Sequence, residues 1–64
     1  MSEIIKKRVN ESEGKFAKIF LNNGWRYAGK ITGSDDDYVE IFDEKTNSFK
    51  IIKFDDIKDC EVSE

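Results

Sequence analysis

The hydrophobic and polar positions at the start of the chain follow a helical period. Residues 3–12 carry three aliphatic side chains close to one helix face, namely Ile4, Ile5 and Val9. Ser2 is a suitable cap for the first turn, and Gly14 is a residue that readily ends a helix. The pattern predicts a short amphipathic helix over residues 3–12, within a segment of helix and linker that covers residues 1–14.

From residue 15 onward the period changes to two, which is typical of half-buried β-strands. Polar clusters interrupt the alternation, and the most distinct is Asn22-Asn23-Gly24, since Asn and Gly accept the positive φ of a tight turn. Gly29 and Gly33 indicate a sharp bend or the close approach of another backbone. Strands are predicted over residues 15–21, 25–33, 38–43, 48–54 and 57–62.

These elements predict an all-β fold with a short N-terminal helix. Five strands in about 50 residues enclose a core only by curling, so we expect a strongly bent, five-stranded antiparallel small barrel over residues 15–62. The 64 residues form a single domain. A domain of this length buries only about 60% of its unfolded surface. Because one cysteine allows no internal disulfide, association with other copies is the expected source of further stability.

The composition of the chain excludes several classes of function. The chain has no histidine, which removes the commonest general base and metal ligand. We see no nucleophile–base pair, metal-ligand cluster or phosphate loop in the sequence, and therefore predict a protein that is not an enzyme and uses no cofactor. The net charge of −3 argues against a general nucleic-acid coat protein but allows a local site. Without a long apolar run or a secretory signal, the expected location is cytoplasmic, with no membrane partner.

The order of these signals resembles the Sm/LSm/Hfq family. Residues 19–31 (IFLNNGWRYAGKI) and the following Asp run match the first motif of that family, and residues 51–57 (IIKFDDI) match the second. The resemblance covers residues 3–62. It implies a homo-oligomeric ring of six or seven subunits, in which the fourth strand of one copy pairs with the fifth strand of the next. It also implies binding of single-stranded RNA, often uridine-rich, on loops that face the pore.

The register of the Asp run decides which site residues the resemblance implies. We place the motif at Asp36, because a motif at Asp35 would bury Glu40 and turn the aliphatic residues of the third strand outward. Asp36 then braces the loop, and Tyr38 takes the base-stacking position. Lys53 takes the position of a family Arg and is expected to hold a phosphate or the face of a base.

Phe54 and Glu40 depart from the family pattern. Phe54 stands where many members have Gly, and is expected to stack on a base or to contact a neighbouring subunit. Glu40 stands where many members have an Asn that reads uracil. An ionised Glu only accepts hydrogen bonds, so it favours an amino group such as cytosine N4 over uracil O4.

Each residue also has a structural interpretation. Tyr38 fits a half-exposed strand position, and Lys53 fits a solvated strand end. The three Asp residues at 35–37 could bind a hard cation, but a solvated loop in which one Asp accepts backbone N–H hydrogen bonds is the favoured interpretation. Cys60 is predicted to point inward as an inert thiol.

Two functions stay open on the sequence. One is an Sm-like ring that binds single-stranded RNA near the pore, using Tyr38, Lys53, Asp36, Phe54 and Glu40. The other is an Sm-like ring that acts as a protein-interaction scaffold with weak or no RNA binding, which the acidic charge, Glu40 and Phe54 favour. A monomeric barrel of similar shape is also compatible with the pattern.

Overall fold

The computed structural model describes residues 3–63, which form one short helix and five strands. In chain order the elements are α1 (Glu3–Asn10), β1 (Phe16–Leu21), β2 (Arg26–Ser34), β3 (Tyr38–Asp43), β4 (Ser48–Lys53), a 3-10 turn (Phe54–Asp56) and β5 (Ile57–Val62). The predicted helix and strands are thus confirmed, with small differences at their ends. The proposed cap Ser2 lies outside the described residues. Within residues 3–63, no helix combines the length and the apolar character needed to cross a membrane.

The strands form one antiparallel sheet in the order β4-β3-β2-β1-β5, so β4 and β5 are its two edges. Only the 3-10 turn Phe54–Asp56 separates these strands in the chain, and the sheet must therefore curl until its edges approach each other at that corner. Asn22 N–H donates to the Asp56 carbonyl over 2.9 Å, which ties the turn to the end of β1. The five-stranded antiparallel sheet is confirmed, but the predicted closure into a barrel is wrong, because β4 pairs only with β3 and β5 only with β1.

The core lies on the concave side of this sheet. In β3, Val39 and Ile41 are fully buried, whereas Tyr38 is 44% exposed. This alternation confirms that the aliphatic residues of β3 point inward. The buried hydrophobic residues are Val9, Ala17, Ile19, Ile31, Val39, Ile41, Ile52, Phe54 and Ile57.

The helix α1 packs on the sheet through a narrower face than predicted. Val9 is fully buried, and Ile5, one helical turn earlier, packs against the core. Ile4 is 77% exposed, so its assignment to the same face is wrong. Ile5 and Val9 are four residues apart and therefore lie on the same helix face, whereas Ile4 is five residues from Val9 and lies off that face. Gly14 adopts φ 89° between α1 and β1, where a residue without Cβ is favoured.

The two strand glycines of β2 serve different purposes. A Cβ on Gly29 would lie 2.2 Å from the Phe42 carbonyl oxygen, which confirms the close approach of another backbone. At Gly33 the register with β3 shifts, since Ile31 faces Ile41 while Gly33 faces Glu40. This irregularity is a β-bulge, and bulges bend strands and redirect side chains. The expectation of a bend is therefore also confirmed.

Candidate functional site

The outer face of β3 and β4 brings two of the predicted site residues together. Tyr38 is directly opposite Lys53 in the β3–β4 ladder. The Tyr38 side chain is 44% exposed, and Lys53 is also exposed. Residues directly opposite each other on one face of an antiparallel pair have Cβ atoms about 4.5–5.5 Å apart. An aromatic ring and a cationic side chain therefore share one solvent-facing patch.

Asp35, rather than Asp36, braces the loop before β3. The Asp35 Oδ1 accepts hydrogen bonds from the backbone N–H groups of Asp37 and Tyr38, each over 2.8 Å. The Asp35 N–H also donates to the Tyr38 carbonyl over 2.9 Å. The bonds from Asp37 and Tyr38 favour the ionised carboxylate and lower the pKa of Asp35 below its usual value. The loop thus fixes the backbone from which the Tyr38 ring projects.

Asp36 was predicted to brace the loop, and that assignment is wrong. Its side chain is 94% exposed and lies 3.5 Å from the Lys6 Nζ on α1. Exposed ion pairs of this kind contribute little to stability because water and salt screen them. Among the described residues, no three carboxylate, thiol or imidazole groups converge on a common point where a metal ion could bind.

Glu40 lies next to Tyr38 on the outer face of β3 and is half-buried. The Thr32 Oγ1 is 2.9 Å from the Glu40 Oε1 and 3.2 Å from the Glu40 carbonyl oxygen, so the hydroxyl donates to this residue. Thr32 is the extra residue of the β2 bulge between Ile31 and Gly33. Thr32 was not predicted as a site residue, and the only sequence signal for it was the neighbouring glycine.

An open groove of about 400 Å³ runs beside this patch. Its walls are residues 33–35 at the end of β2, Tyr38, Val39 and Glu40 on β3, and Ile51 on β4. Ile51 is opposite Glu40 in the ladder and is 67% exposed. The groove therefore offers an aromatic ring, an aliphatic side chain and a carboxylate within one concave surface.

Phe54 does not belong to this surface. It was predicted as a second stacking residue or a subunit contact, but its side chain is 1% exposed and lies in the core. Its N–H donates to the Asp37 carbonyl over 2.9 Å, which holds the 3-10 turn against the loop before β3. A buried ring has no face available to a base or to a neighbouring subunit. The predictions that Phe54 stacks on a base or contacts another subunit are therefore both wrong.

The edge strand β4 carries an exposed apolar patch that was not predicted from the sequence. Phe49 is 60% exposed, and its ring meets that of Phe42 edge-on with a centroid distance of 5.1 Å. Together with Ile51, these side chains point outward from β3 and β4. The strand alternation contained a signal for this patch, since residues 49, 51 and 53 share one face of a strand.

Cys60 on β5 packs against the edge of the core, which confirms its inward orientation. It is half-buried, and loss of solvation raises the pKa of its thiol. The Asp59 carboxylate raises it further. Because the thiolate is the reactive form, this environment favours the predicted inert thiol.

Comparison with known proteins does not identify the chain. No family model matches it. No curated protein matches it either. The features of the chain that bear on function are the order of its sequence motifs, the sheet with its two edges, and the groove beside Tyr38.

Proposed function

We propose that the chain is an Sm-like protein that assembles into a homo-oligomeric ring of six or seven subunits and binds single-stranded RNA near the pore. The observation that carries the proposal is the pairing of Tyr38 with Lys53 on the exposed face of β3 and β4. These residues match the stacking and basic positions of the motifs that the sequence resembles.

An exposed tyrosine beside a lysine suits a single-stranded nucleic acid. Stacking of one base on an aromatic side chain contributes about 1–3 kcal/mol and accepts any base. The Lys53 ammonium supplies a positive charge for a phosphate next to the stacked base. The Asp35 hydrogen bonds hold the Tyr38 backbone in place, which reduces the ordering that binding requires.

The two edges of the sheet suit assembly of identical copies. An edge strand exposes unpaired N–H and C=O groups, which can pair with a strand of another chain. β4 carries Lys50 and Lys53 and no acidic residue, whereas β5 carries Asp59 and Glu61 and one lysine. Opposite charges on the two edges favour pairing of β4 with β5 over pairing of like edges. Such head-to-tail contacts close into a ring when the rotation between copies allows it.

RNA binding is tested by titrating labelled oligouridine, oligoadenine and oligocytidine at low and moderate salt, with fluorescence anisotropy as the readout. Tyr38→Ala should weaken binding about 5- to 150-fold, which corresponds to the loss of one stacked base. Tyr38→Phe keeps the ring and should retain most of the affinity. Lys53→Gln should reduce the salt slope by about 0.7, the value for one phosphate contact on a single strand.

Trp25→Ala is the matched control, because Trp25 is 65% exposed and lies outside the groove residues. It should leave the affinity unchanged. Absence of binding to all three oligonucleotides below about millimolar concentration would contradict the RNA proposal, since non-specific binding alone reaches about 10⁻⁴–10⁻⁶ M. An equal loss in Trp25→Ala and Tyr38→Ala would show that the binding face lies elsewhere.

Ring assembly is tested separately by light scattering. We expect a mass six or seven times that of the 7.5 kDa chain. Phe49→Glu places a charge on the exposed face of the β4 edge and should dissociate the ring. Ile4→Glu also replaces an exposed hydrophobic residue with glutamate, but on α1, and should leave the mass unchanged. A stable monomer of the unmodified chain at micromolar concentration argues against the ring.

The protein-interaction scaffold is the second candidate function. The exposed apolar patch of Phe49 and Ile51 favours it, because large exposed apolar groups often mark protein contacts. The acidic loop at residues 35–37 also disfavours a phosphate backbone. A ring that forms at the expected mass yet binds none of the oligonucleotides supports the scaffold over the RNA-binding protein.

A further inference from the structure

We infer that the groove beside Tyr38 selects guanine over the other RNA bases, through the carboxylate of Glu40. This inference rests on the proposed RNA-binding function, and it names the base that the same groove receives. It departs from the uridine preference that the family resemblance implies.

The position of the Glu40 carboxylate carries the inference. Glu40 is half-buried in the groove wall, and the Thr32 hydroxyl lies 2.9 Å from its Oε1. An ionised carboxylate has about four acceptor sites and no donor. The Thr32 hydroxyl occupies one of them and orients the group, so acceptor positions on both oxygens stay available to a ligand. The groove therefore presents an oriented, acceptor-only group to whatever lies against Tyr38.

The Watson–Crick edges of the four bases differ in how well they match such a group. Guanine presents two adjacent donors, N1–H and the N2 amine, which can bond both oxygens of one carboxylate. Uracil presents a single N3–H between two carbonyl oxygens that the carboxylate repels. Cytosine and adenine present one amine beside a ring nitrogen that only accepts. Since bidentate bonds to a charged group are the strong ones, guanine is the best match.

The remaining walls of the groove suit a purine. Tyr38 provides a ring for stacking, and Ile51, opposite Glu40 in the ladder, provides an exposed aliphatic surface. The volume of about 400 Å³ lies within the usual range of about 300–1,000 Å³ for small-ligand sites. Lys53, opposite Tyr38, supplies the positive charge for the attached phosphate. One nucleotide can thus meet a stacking, an edge-reading and a phosphate-binding group together.

The test uses labelled oligouridine strands of equal length that carry one internal guanosine, inosine, adenosine, cytidine or uridine, measured by fluorescence anisotropy. Inosine keeps N1–H but lacks the N2 amine, so it removes one of the two donors without changing the ring. The guanosine strand should bind most tightly. The inosine, adenosine, cytidine and uridine strands should bind about 5- to 150-fold more weakly, the discrimination that a good bidentate pair provides.

Glu40→Gln is the decisive variant, because it replaces one carboxylate oxygen with an amide NH2 group at almost constant shape. Thr32 should continue to donate to the remaining oxygen, which turns the amide NH2 group toward the groove. The variant should lose the guanosine preference and gain affinity for the uridine strand, whose O4 accepts a hydrogen bond from that NH2 group. Glu44→Gln removes the same charge from the exposed turn between β3 and β4 and should keep the preference. Circular dichroism checks that both variants are folded.

The outcomes separate this inference from the function on which it rests. Equal binding of all five strands, with loss of binding in Tyr38→Ala, overturns the guanine preference and leaves the RNA proposal intact. An equal change of preference in Glu40→Gln and Glu44→Gln overturns it as well, because net charge would then explain the effect. Failure of every strand to bind overturns the RNA proposal, and the guanine preference with it.

Discussion

Replacing Phe54 with alanine tests whether its ring belongs to the core instead of a binding surface. Phe54 is 1% exposed and is the largest of the fully buried side chains in residues 3–63. Truncating a core Phe to Ala costs about 3–5 kcal/mol, because apolar burial is lost and a cavity is left. A domain of 64 residues has a free energy of unfolding of about 3–10 kcal/mol. Phe54→Ala should therefore lose roughly a third or more of the total stability.

The assay is urea unfolding followed by far-ultraviolet circular dichroism. Trp25→Ala is the control, because Trp25 is an aromatic residue that is 65% exposed. It should cost about 0.5 kcal/mol or less, as is usual for a surface substitution. Each variant is measured at two protein concentrations, since subunit association makes the midpoint concentration-dependent. A Phe54→Ala variant that loses no more stability than Trp25→Ala would refute the assignment of Phe54 to the core.

Three further predictions concern the backbone, the loop and the thiol. Gly29→Ala should destabilise the protein by about 1–3 kcal/mol or more, since its Cβ would lie 2.2 Å from the Phe42 carbonyl oxygen. Gly33→Ala, with no atom within 4 Å of its Cβ, should change the urea midpoint little or raise it. Because the pKa of Asp35 is lowered in the folded protein, its stabilising effect is present above the ordinary carboxyl pKa and is lost as the pH falls through the lowered value. Asp35→Asn should therefore flatten the acid-unfolding curve. The raised pKa of Cys60 predicts slower reaction with a thiol reagent at neutral pH in the folded chain than in urea.

The period-two alternation was sufficient to predict the orientation of the β3 side chains. It placed Val39 and Ile41 inside and Tyr38 outside, because a slip of one residue would have buried Glu40 instead. The chain has a strong contrast between aliphatic and polar residues in this strand. Where that contrast is present, hydrophobic burial alone determines which face turns inward.

For Phe54, the family resemblance and the strand alternation point in opposite directions. Residues 48–54 were predicted as one strand, in which Phe54 shares a face with Ile52. That face is buried. The resemblance instead matched position 54 to a glycine near the ligand, and this match led to the prediction that the Phe54 ring is exposed. Phe54 is buried because a phenylalanine side chain gains far more free energy on burial than a glycine does.

The choice between Asp35 and Asp36 could not be made from the sequence. The three residues at 35–37 are chemically identical, and the alternation that orients the β3 side chains does not determine which of these carboxylates accepts the backbone N–H groups. What distinguishes them is the path of the backbone, which aims two N–H groups at the Asp35 carboxylate. Such a path depends on the ends of β2 and β3, and therefore on contacts distant in sequence.

The bulge at the end of β2 links the fold to the candidate site. Gly33 faces Glu40 in the ladder, and the extra residue, Thr32, directs its hydroxyl to the Glu40 carboxylate. Without the bulge, strict alternation would place residue 32 directly opposite residue 40 and Gly33 one position further along β3. The bulge thus sets the position from which the Thr32 hydroxyl orients the Glu40 carboxylate, and the proposed base preference depends on that orientation.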